Sequence, residues 1–273
     1  MVRLGSMYPF VVSGLNSGIR GRSFQAVFLF GVLMVGVAYL SAGFSPRHPR
    51  TIALDVGFSG IRFTLVLLQL FWIQELVAKE IERKTILHSL AYPVSRFKFI
   101  LGRYLAVLIL GLVTALVLGL ALLVAVIFAS PNYNQEFPVS LGLAFWMTLG
   151  GLLLDAAVVA AVGLVVSTVS TVAIMPLAVG VAFAIGGKAL GASMDYLSRG
   201  ADGDVEMTSR FGPLLDLIRI VVPDLSRLDW RNWALYGVPP ESAEIGLATA
   251  TAIAYIVIVL IIGMLVFSRR EFS

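Results

Sequence analysis

Long apolar runs dominate this chain and recur along its whole length. Six of them are long enough to cross the roughly 30 Å hydrocarbon core of a membrane as helices that rise about 1.5 Å per residue. The pattern predicts an all-α polytopic membrane protein with a single transmembrane domain over residues 1–273. The predicted spans are residues 24–42, 54–77, 97–128, 141–166, 171–190 and 245–267.

Two elements flank this series of spans. Residues 6–22 form a predicted N-terminal interfacial helix, because apolar side chains repeat there every three or four positions: Tyr8, Val11, Val12, Leu15 and Ile19. The apolar run that follows is longer than the usual core of a cleaved signal peptide, so we expect a retained span. Within residues 171–190, Pro176 predicts a kink, since proline removes a helix hydrogen bond.

A polar segment, residues 79–96, connects the second and third spans. Glu80 and Lys84 are spaced as a favourable i,i+4 ion pair on a helix. Pro93 ends such a helix and Ser95 can cap the next one. The segment is therefore predicted to form a short helix along the membrane surface.

A second polar segment, residues 186–243, precedes the last span. Its apolar part, residues 213–222, is too short to span and predicts an interfacial or re-entrant helix. Trp230, Trp233 and Tyr236 have the amphipathic rings that favour the headgroup level of a membrane, so we expect them to anchor this segment there.

Orientation follows from the distribution of Lys and Arg in the short connections. The excess places both termini and the 79–96 connection in the cytosol. The predicted cytosolic side carries Arg3, Arg20, Arg22, Lys79, Arg83, Lys84, Arg96, Lys98, Arg103, Arg269 and Arg270, whereas the short outer connections and their margins carry Arg47, Arg50 and Arg62.

Composition narrows the functional classes. With 59% hydrophobic and 13% charged residues, the chain has no room for a separate soluble catalytic domain. The net charge of +4 reports membrane orientation rather than nucleic-acid binding, and the absence of cysteine excludes disulfides and thiolate chemistry. The two histidines, His48 and His88, are isolated, so no metal site is predicted.

Among the polar residues inside predicted spans, three are candidates for a functional role. Asp155 lies near the middle of the fourth, where an ionised carboxylate costs at least about 2.5–3.5 kcal/mol, so it must face protein or water. It either lies on a functional path or at the seam of a dimer, or it ties two spans together. Arg62 is a candidate partner for it, or else extends to the headgroups. Glu75 can pair with Lys79 at i+4.

The 79–96 segment resembles the corresponding connection of ABC transporter type-2 permeases, the ABC-2-type exporters. That family has Glu-x-Glu-x-Gly-Thr, an apolar stretch, Pro-Val-Ser-Arg and then Gly-Lys. This chain has Lys84 where the family has Gly, which favours continuous helix, and Arg103 where the family has Lys. The matching residues are Glu80, Glu82 and Thr85, then Pro93, Val94, Ser95 and Arg96, then Gly102.

The resemblance implies a coupling helix that fits a groove on a separate ATP-hydrolysing subunit. Arg96 and Arg103 would then anchor the next helix at the headgroups. In this family, outer helices before the last span cap the translocation path. Candidates for such an outer gate are Trp230, Trp233 and Tyr236. The implied contact surface is Glu80, Glu82, Arg83, Lys84 and Thr85, closed by Pro93.

The implied assembly is a permease homodimer, or a pair with a related permease, in the bacterial inner membrane with two ATPase subunits. The chain has no Gly-x-x-x-x-Gly-Lys-Ser/Thr loop, so ATP and Mg would be bound by the partner. Two other classes remain open. One is a membrane enzyme on lipid-linked substrates with Asp155 as acid or base, and the other is a membrane assembly or scaffold factor.

Overall fold

The computed structural model describes residues 8–45, 47–82, 96–129, 138–198 and 222–269. Within these ranges every regular element is helical. The helices are α1 (Tyr8–Arg20), α2 (Arg22–Ala42), α3 (Pro49–Ile73), α4 (Lys79–Glu82), α5 (Arg96–Phe128), α6 (Leu143–Val169), α7 (Met175–Ser198), α8 (Arg231–Tyr236) and α9 (Ser242–Arg269). A π-helical turn, Gln74–Ala78, joins α3 to α4, and a 3₁₀ turn, Leu225–Leu228, precedes α8.

The predicted all-helical membrane fold is confirmed in its coarse form. Five helices of the described chain are long and apolar enough to cross a membrane: Phe24–Ala42, Pro49–Glu82, Phe97–Phe128, Leu143–Val169 and Ser242–Arg269. The apolar part of α7, Met175–Gly191, is shorter than these. The six-span count therefore stays a prediction.

The predicted kink at Pro176 is wrong. Ser170–Ile174 forms turns rather than the start of a helix, and α7 begins at Met175. Pro176 thus lies in the first turn of α7. Backbone N–H groups in the first turn have no acceptor within the helix, so proline removes no helix hydrogen bond there. The short linker between α6 and α7 still makes the two helices an antiparallel pair, as the few residues between them predict.

Two helices form the centre of the bundle. About two-thirds of the apolar window of α3 and of α6 is buried (67% in each), compared with 22% in α2 and in α9. The rings of Phe58 on α3 and Phe145 on α6 lie 5.3 Å apart between their centroids. The peripheral helices direct large apolar side chains outward, as lipid contact requires: Leu29 and Leu40 on α2 and Ile258 and Leu265 on α9 are examples.

Below, the end of the bundle at α4 is called the inner end, and the opposite end the outer end, following the predicted orientation. α1 packs across the inner half of α5 through two glycines and through Phe10, whose ring lies edge-on to Phe99 at 5.6 Å between centroids. The position of a Cβ on Gly14 would lie 2.7 Å from the Cβ of Ala106, and one on Gly18 would lie 2.6 Å from Leu110. The indole N–H of Trp72 donates to the Gly18 carbonyl at 3.3 Å. Tyr8 and Ile19 of the predicted apolar face are more than half exposed.

This packing predicts opposite effects of the same substitution at two helical glycines. Gly14→Ala should destabilise by about 1–3 kcal/mol because its methyl group meets Ala106. Gly36→Ala in α2 should stabilise by about 0.5–1 kcal/mol, since nothing lies within 4 Å of that Cβ and alanine is the better helix former. Thermal unfolding of both variants in one detergent measures the difference. Equal shifts would contradict the close contact of α1 with α5.

Candidate functional site

The 79–96 segment begins as a direct continuation of a membrane helix. α3 passes through the π-helical turn into α4 without a break in helical backbone. Such turns are rare and are frequent at functional sites. The predicted pair of Glu75 and Lys79 is present in this turn, with 3.9 Å between Oε1 and Nζ and both side chains partly exposed. This is a loose surface pair that contributes little to stability.

A buried ion pair connects α4 to α5. The guanidinium of Arg103 donates from Nη2 to Oε1 of Glu80 at 2.6 Å, and its carbon Cζ lies 5.4 Å from the ring centroid of Phe99. The Arg103 side chain is only 4% exposed, so its expected place at the headgroups is wrong. It lies about two turns into α5, where the helix faces α1 and α4 instead of the membrane surface. The expected partner of Glu80, Lys84, lies outside the described residues.

Glu82 links α4 to a second connection at the inner end. Its Oε1 accepts a hydrogen bond from the backbone N–H of Ala173 at 3.4 Å, in the linker between α6 and α7. The beginning of the 79–96 segment is therefore held to both α5 and the α6–α7 linker. Of the other predicted coupling residues, Arg83, Lys84, Thr85 and Pro93 lie outside the described residues, and Arg96 begins α5.

Inside the membrane region, Asp155 and Arg62 form the ion pair that the sequence offered as one alternative. Nε of Arg62 donates to Oδ2 of Asp155, joining α3 to α6. The Asp155 side chain is 2% exposed and that of Arg62 is 18% exposed. The pair ties two spans together and avoids the cost of an isolated charge in hydrocarbon. Asp155 is thus engaged by a neighbouring helix.

A further charged cluster lies at the outer end. Arg231 donates from Nη1 to Asp55 and to the hydroxyl of Ser59, both at 2.8 Å, and from Nε to Asp229 at 2.8 Å. The Lys188 ammonium, on α7, donates to the other oxygen of Asp229. The cluster therefore joins α3, α7 and the turn before α8. Its members come from three distant regions of the sequence, and no spacing rule brings these regions together. The alternation of charged and aromatic residues around α8 indicates only that this segment makes polar contacts.

The charges of this cluster control its titration. Burial raises the pKa of Asp229, but hydrogen bonds and charge from Arg231 and then Lys188 outweigh burial and hold that pKa below its usual range. Burial lowers the pKa of Arg231, while Asp229 and Asp55 more than compensate, so its pKa is raised. Both groups are consequently ionised at neutral pH, as a stable cluster requires.

The three aromatic residues of this segment have different environments. Trp230 is 9% exposed and packs on Gly151 of α6, so its ring lies in the protein core and faces α6. Its backbone carbonyl accepts from the Thr148 hydroxyl at 3.0 Å, which draws the segment onto α6. Trp233 is half-buried, and Tyr236 is 60% exposed. A role of these residues in an outer gate stays a prediction.

The Arg62–Asp155 pair predicts a strongly non-additive response. Arg62→Leu or Asp155→Leu alone should destabilise by about 3–5 kcal/mol, because each leaves one buried charge without its partner. The double variant should lose less than either single variant, since no charge then remains. Unfolding of all four proteins in the same detergent gives the coupling energy. Additive losses would show that the two residues act independently.

The Asp229 pKa predicts loss of stability in acid. A carboxyl whose folded pKa lies below its ordinary value of 3.8 stabilises the fold fully above pH 3.8, and this contribution disappears as the pH falls through the folded pKa. The thermal midpoint of Asp229→Asn should therefore be below that of the parent chain at pH 7 and approach it towards pH 3. A constant gap between the two across this range would contradict the shift.

A comparison with known proteins found a partial similarity to one transport protein. No family model matches the chain. Over 139 residues the chain is 31% identical to the probable ABC transporter permease protein NosY of Stutzerimonas stutzeri. The match covers 48% of this chain and 47% of the relative, so the chain spans about half the length of the curated relative it matches. The helices of membrane length and this similarity together indicate a multi-pass membrane protein, about half of which is similar to an ABC transporter permease.

Proposed function

We propose that the chain is the transmembrane permease subunit of an ATP-driven ABC exporter, coupled to its ATPase through residues 79–96. The similarity to an ABC permease and the five helices of membrane length support a transport subunit. The residue pattern Glu80, Glu82, Thr85 and the later Pro-Val-Ser-Arg supports the type-2 exporter family.

The observation that carries the proposal is the attachment of α4 to the rest of the inner end. α4 is continuous with α3, Glu80 is paired with Arg103 on α5, and Glu82 contacts Ala173 between α6 and α7. A buried charge pair resists separation, because removal of one partner costs several kcal/mol. A force applied to residues 83–95 would therefore act on several membrane helices together.

The energy source belongs to a partner in this proposal. The chain has no phosphate-binding loop, so ATP and Mg would be held by an ABC ATPase present in two copies. The permease would act as a homodimer or with a related permease in the bacterial inner membrane, surrounded by lipid, with both termini in the cytosol. No nucleic acid takes part.

Co-purification from the native host tests the proposal. The intact chain should retain a protein that mass spectrometry identifies by its Gly-x-x-x-x-Gly-Lys-Ser/Thr loop. Arg83→Glu with Lys84→Glu should reduce the retained ATPase by about tenfold or more, since like charges at a docking surface cost several kcal/mol. Arg269→Glu, also at the inner end, is the matched control and should retain the ATPase.

Coupling is tested separately from docking. Glu80→Gln weakens the tie to Arg103 without altering residues 83–95, so the variant complex should form while ATP hydrolysis by the ATPase no longer responds to the permease. Absence of any P-loop protein from the purified chain would overturn the proposal and favour a membrane enzyme or a scaffold. Turnover of a lipid-linked substrate by the chain alone, lost in Asp155→Asn, would specify the enzyme.

A further inference from the structure

The outer segment, residues 222–236, closes the outer end of the bundle through contacts with three membrane helices. Leu225 and Leu228 of its 3₁₀ turn are buried, and the turn lies against α6 and α7. The backbone N–H of Ser140 donates to the carbonyl of Ala234 at 2.8 Å, so the segment also contacts the residues just before α6. Leu228 lies over Gly151, which is four residues before Asp155 on α6, so the segment lies on the same face of α6 as the Arg62–Asp155 pair.

The outer segment packs on three glycines, Gly151 of α6 and Gly187 and Gly191 of α7, which together are called the glycine floor. A Cβ on Gly151 of α6 would lie 2.1 Å from the carbonyl oxygen of Leu228. On α7, a Cβ at Gly187 would meet Leu225 at 2.7 Å, and one at Gly191 would meet the Ser226 hydroxyl at 2.0 Å. The segment therefore sits directly on helix backbone, with no side chains from these three positions rising around it. Such a surface permits close contact and little interlocking.

Charged groups supply the specific connections across this surface. Arg231 bridges the segment to Asp55 and Ser59 on α3, and Asp229 receives Lys188 from α7. Two acids and two bases take part, so the four charges balance. The exposed fraction of the side chains rises from 12% for Asp229 to 52% for Asp55, so water reaches the outer edge of the cluster. At such an edge, the partners of a charged pair can replace each other by water, so the pair separates more easily than an apolar contact does.

We propose that Arg231, Asp229, Asp55 and Lys188 form a charge lock that holds the outer segment closed over the bundle interior. Breaking the Arg231–Asp55 contact frees the segment to rise from its glycine floor and opens the outer end towards Arg62 and Asp155. The use of this opening as a transport gate rests on the proposed permease function. The lock itself is a property of the isolated chain.

The natural absence of cysteine makes the lock measurable. Leu228→Cys places a thiol on the buried face of the outer segment, where the native side chain is 3% exposed. In lipid nanodiscs, a charged maleimide should label this thiol slowly. Adding Arg231→Ala should raise the labelling rate by about tenfold or more, because it removes both hydrogen bonds from Arg231 to α3, and about 1.4 kcal/mol suffices for a factor of ten.

Three further proteins make the result specific. Arg227→Ala removes a cation from the same segment whose partner, Asp224, is also in the segment, so it should leave labelling of Leu228→Cys unchanged. Arg227→Cys, at a position 53% exposed, gives the rate for an open thiol. Asp55→Asn breaks the contact from the α3 side while Arg231 keeps Asp229, and this variant guards against misfolding caused by Arg231→Ala.

The double variant Asp55→Asn with Arg231→Ala completes the cycle. If the two residues act through one contact, its labelling rate should equal that of Arg231→Ala alone. Labelling at the parent rate in both Arg231→Ala and Asp55→Asn would overturn the lock, and so would equal acceleration by Arg227→Ala. None of these rates depends on an ATPase. Failure of the lock is therefore distinct from failure of the proposed function, which is read by co-purification.

Discussion

Ionised side chains that leave water must find partners, and in this bundle their partners lie on other helices. Arg62 on α3 pairs with Asp155 on α6, and Glu80 on α4 pairs with Arg103 on α5. An unpaired charge at these positions costs several kcal/mol. In contrast, an apolar helix face can replace its contact with another helix by a contact with lipid at little cost. The ion pairs consequently define which helices are neighbours and in which register, a specificity that apolar contacts alone supply poorly.

Close approach of backbones provides the remaining specificity. Lipid is as apolar as the helices, so association depends on packing and on small residues at the contacts. Gly14 and Gly18 bring α1 onto α5, and Gly57 and Gly60 let α3 approach its neighbours Leu122 and Met34. This explains why α1 buries its glycines and exposes Tyr8. For a helix beside a membrane, an apolar stripe predicts contact with lipid as readily as contact with protein.

The sequence predicted the membrane helices well because length and apolarity depend only on local residues. It also offered Arg62 as a partner of Asp155, since a buried carboxylate has few options in hydrocarbon. It failed where three-dimensional neighbours decide the outcome. Arg103 is basic and near a predicted surface, yet Glu80, 23 residues earlier on the preceding helix, draws it inward. Trp230 has the ring of a headgroup anchor, yet Gly151 leaves a site for it on α6. The cluster around Arg231 joins residues from three regions of the chain, and one sequence contains no signal for such pairings.

α3 is the element through which these separate contacts become one mechanical unit. With α4 it forms a helical stretch of 34 residues, Pro49–Glu82, which rises roughly 51 Å at about 1.5 Å per residue and so exceeds the roughly 30 Å hydrocarbon core. Its outer end carries Asp55, its middle carries Arg62 and its inner continuation carries Glu80, each paired with a different partner. A displacement at the inner end would travel along this helix because hydrogen-bonded backbone resists axial strain, except at the π-helical turn, where the wider ring can absorb part of it. If the chain works as proposed, the position of that turn, between the intramembrane pair and α4, makes it the place where movement of α4 would be either passed to the bundle or lost.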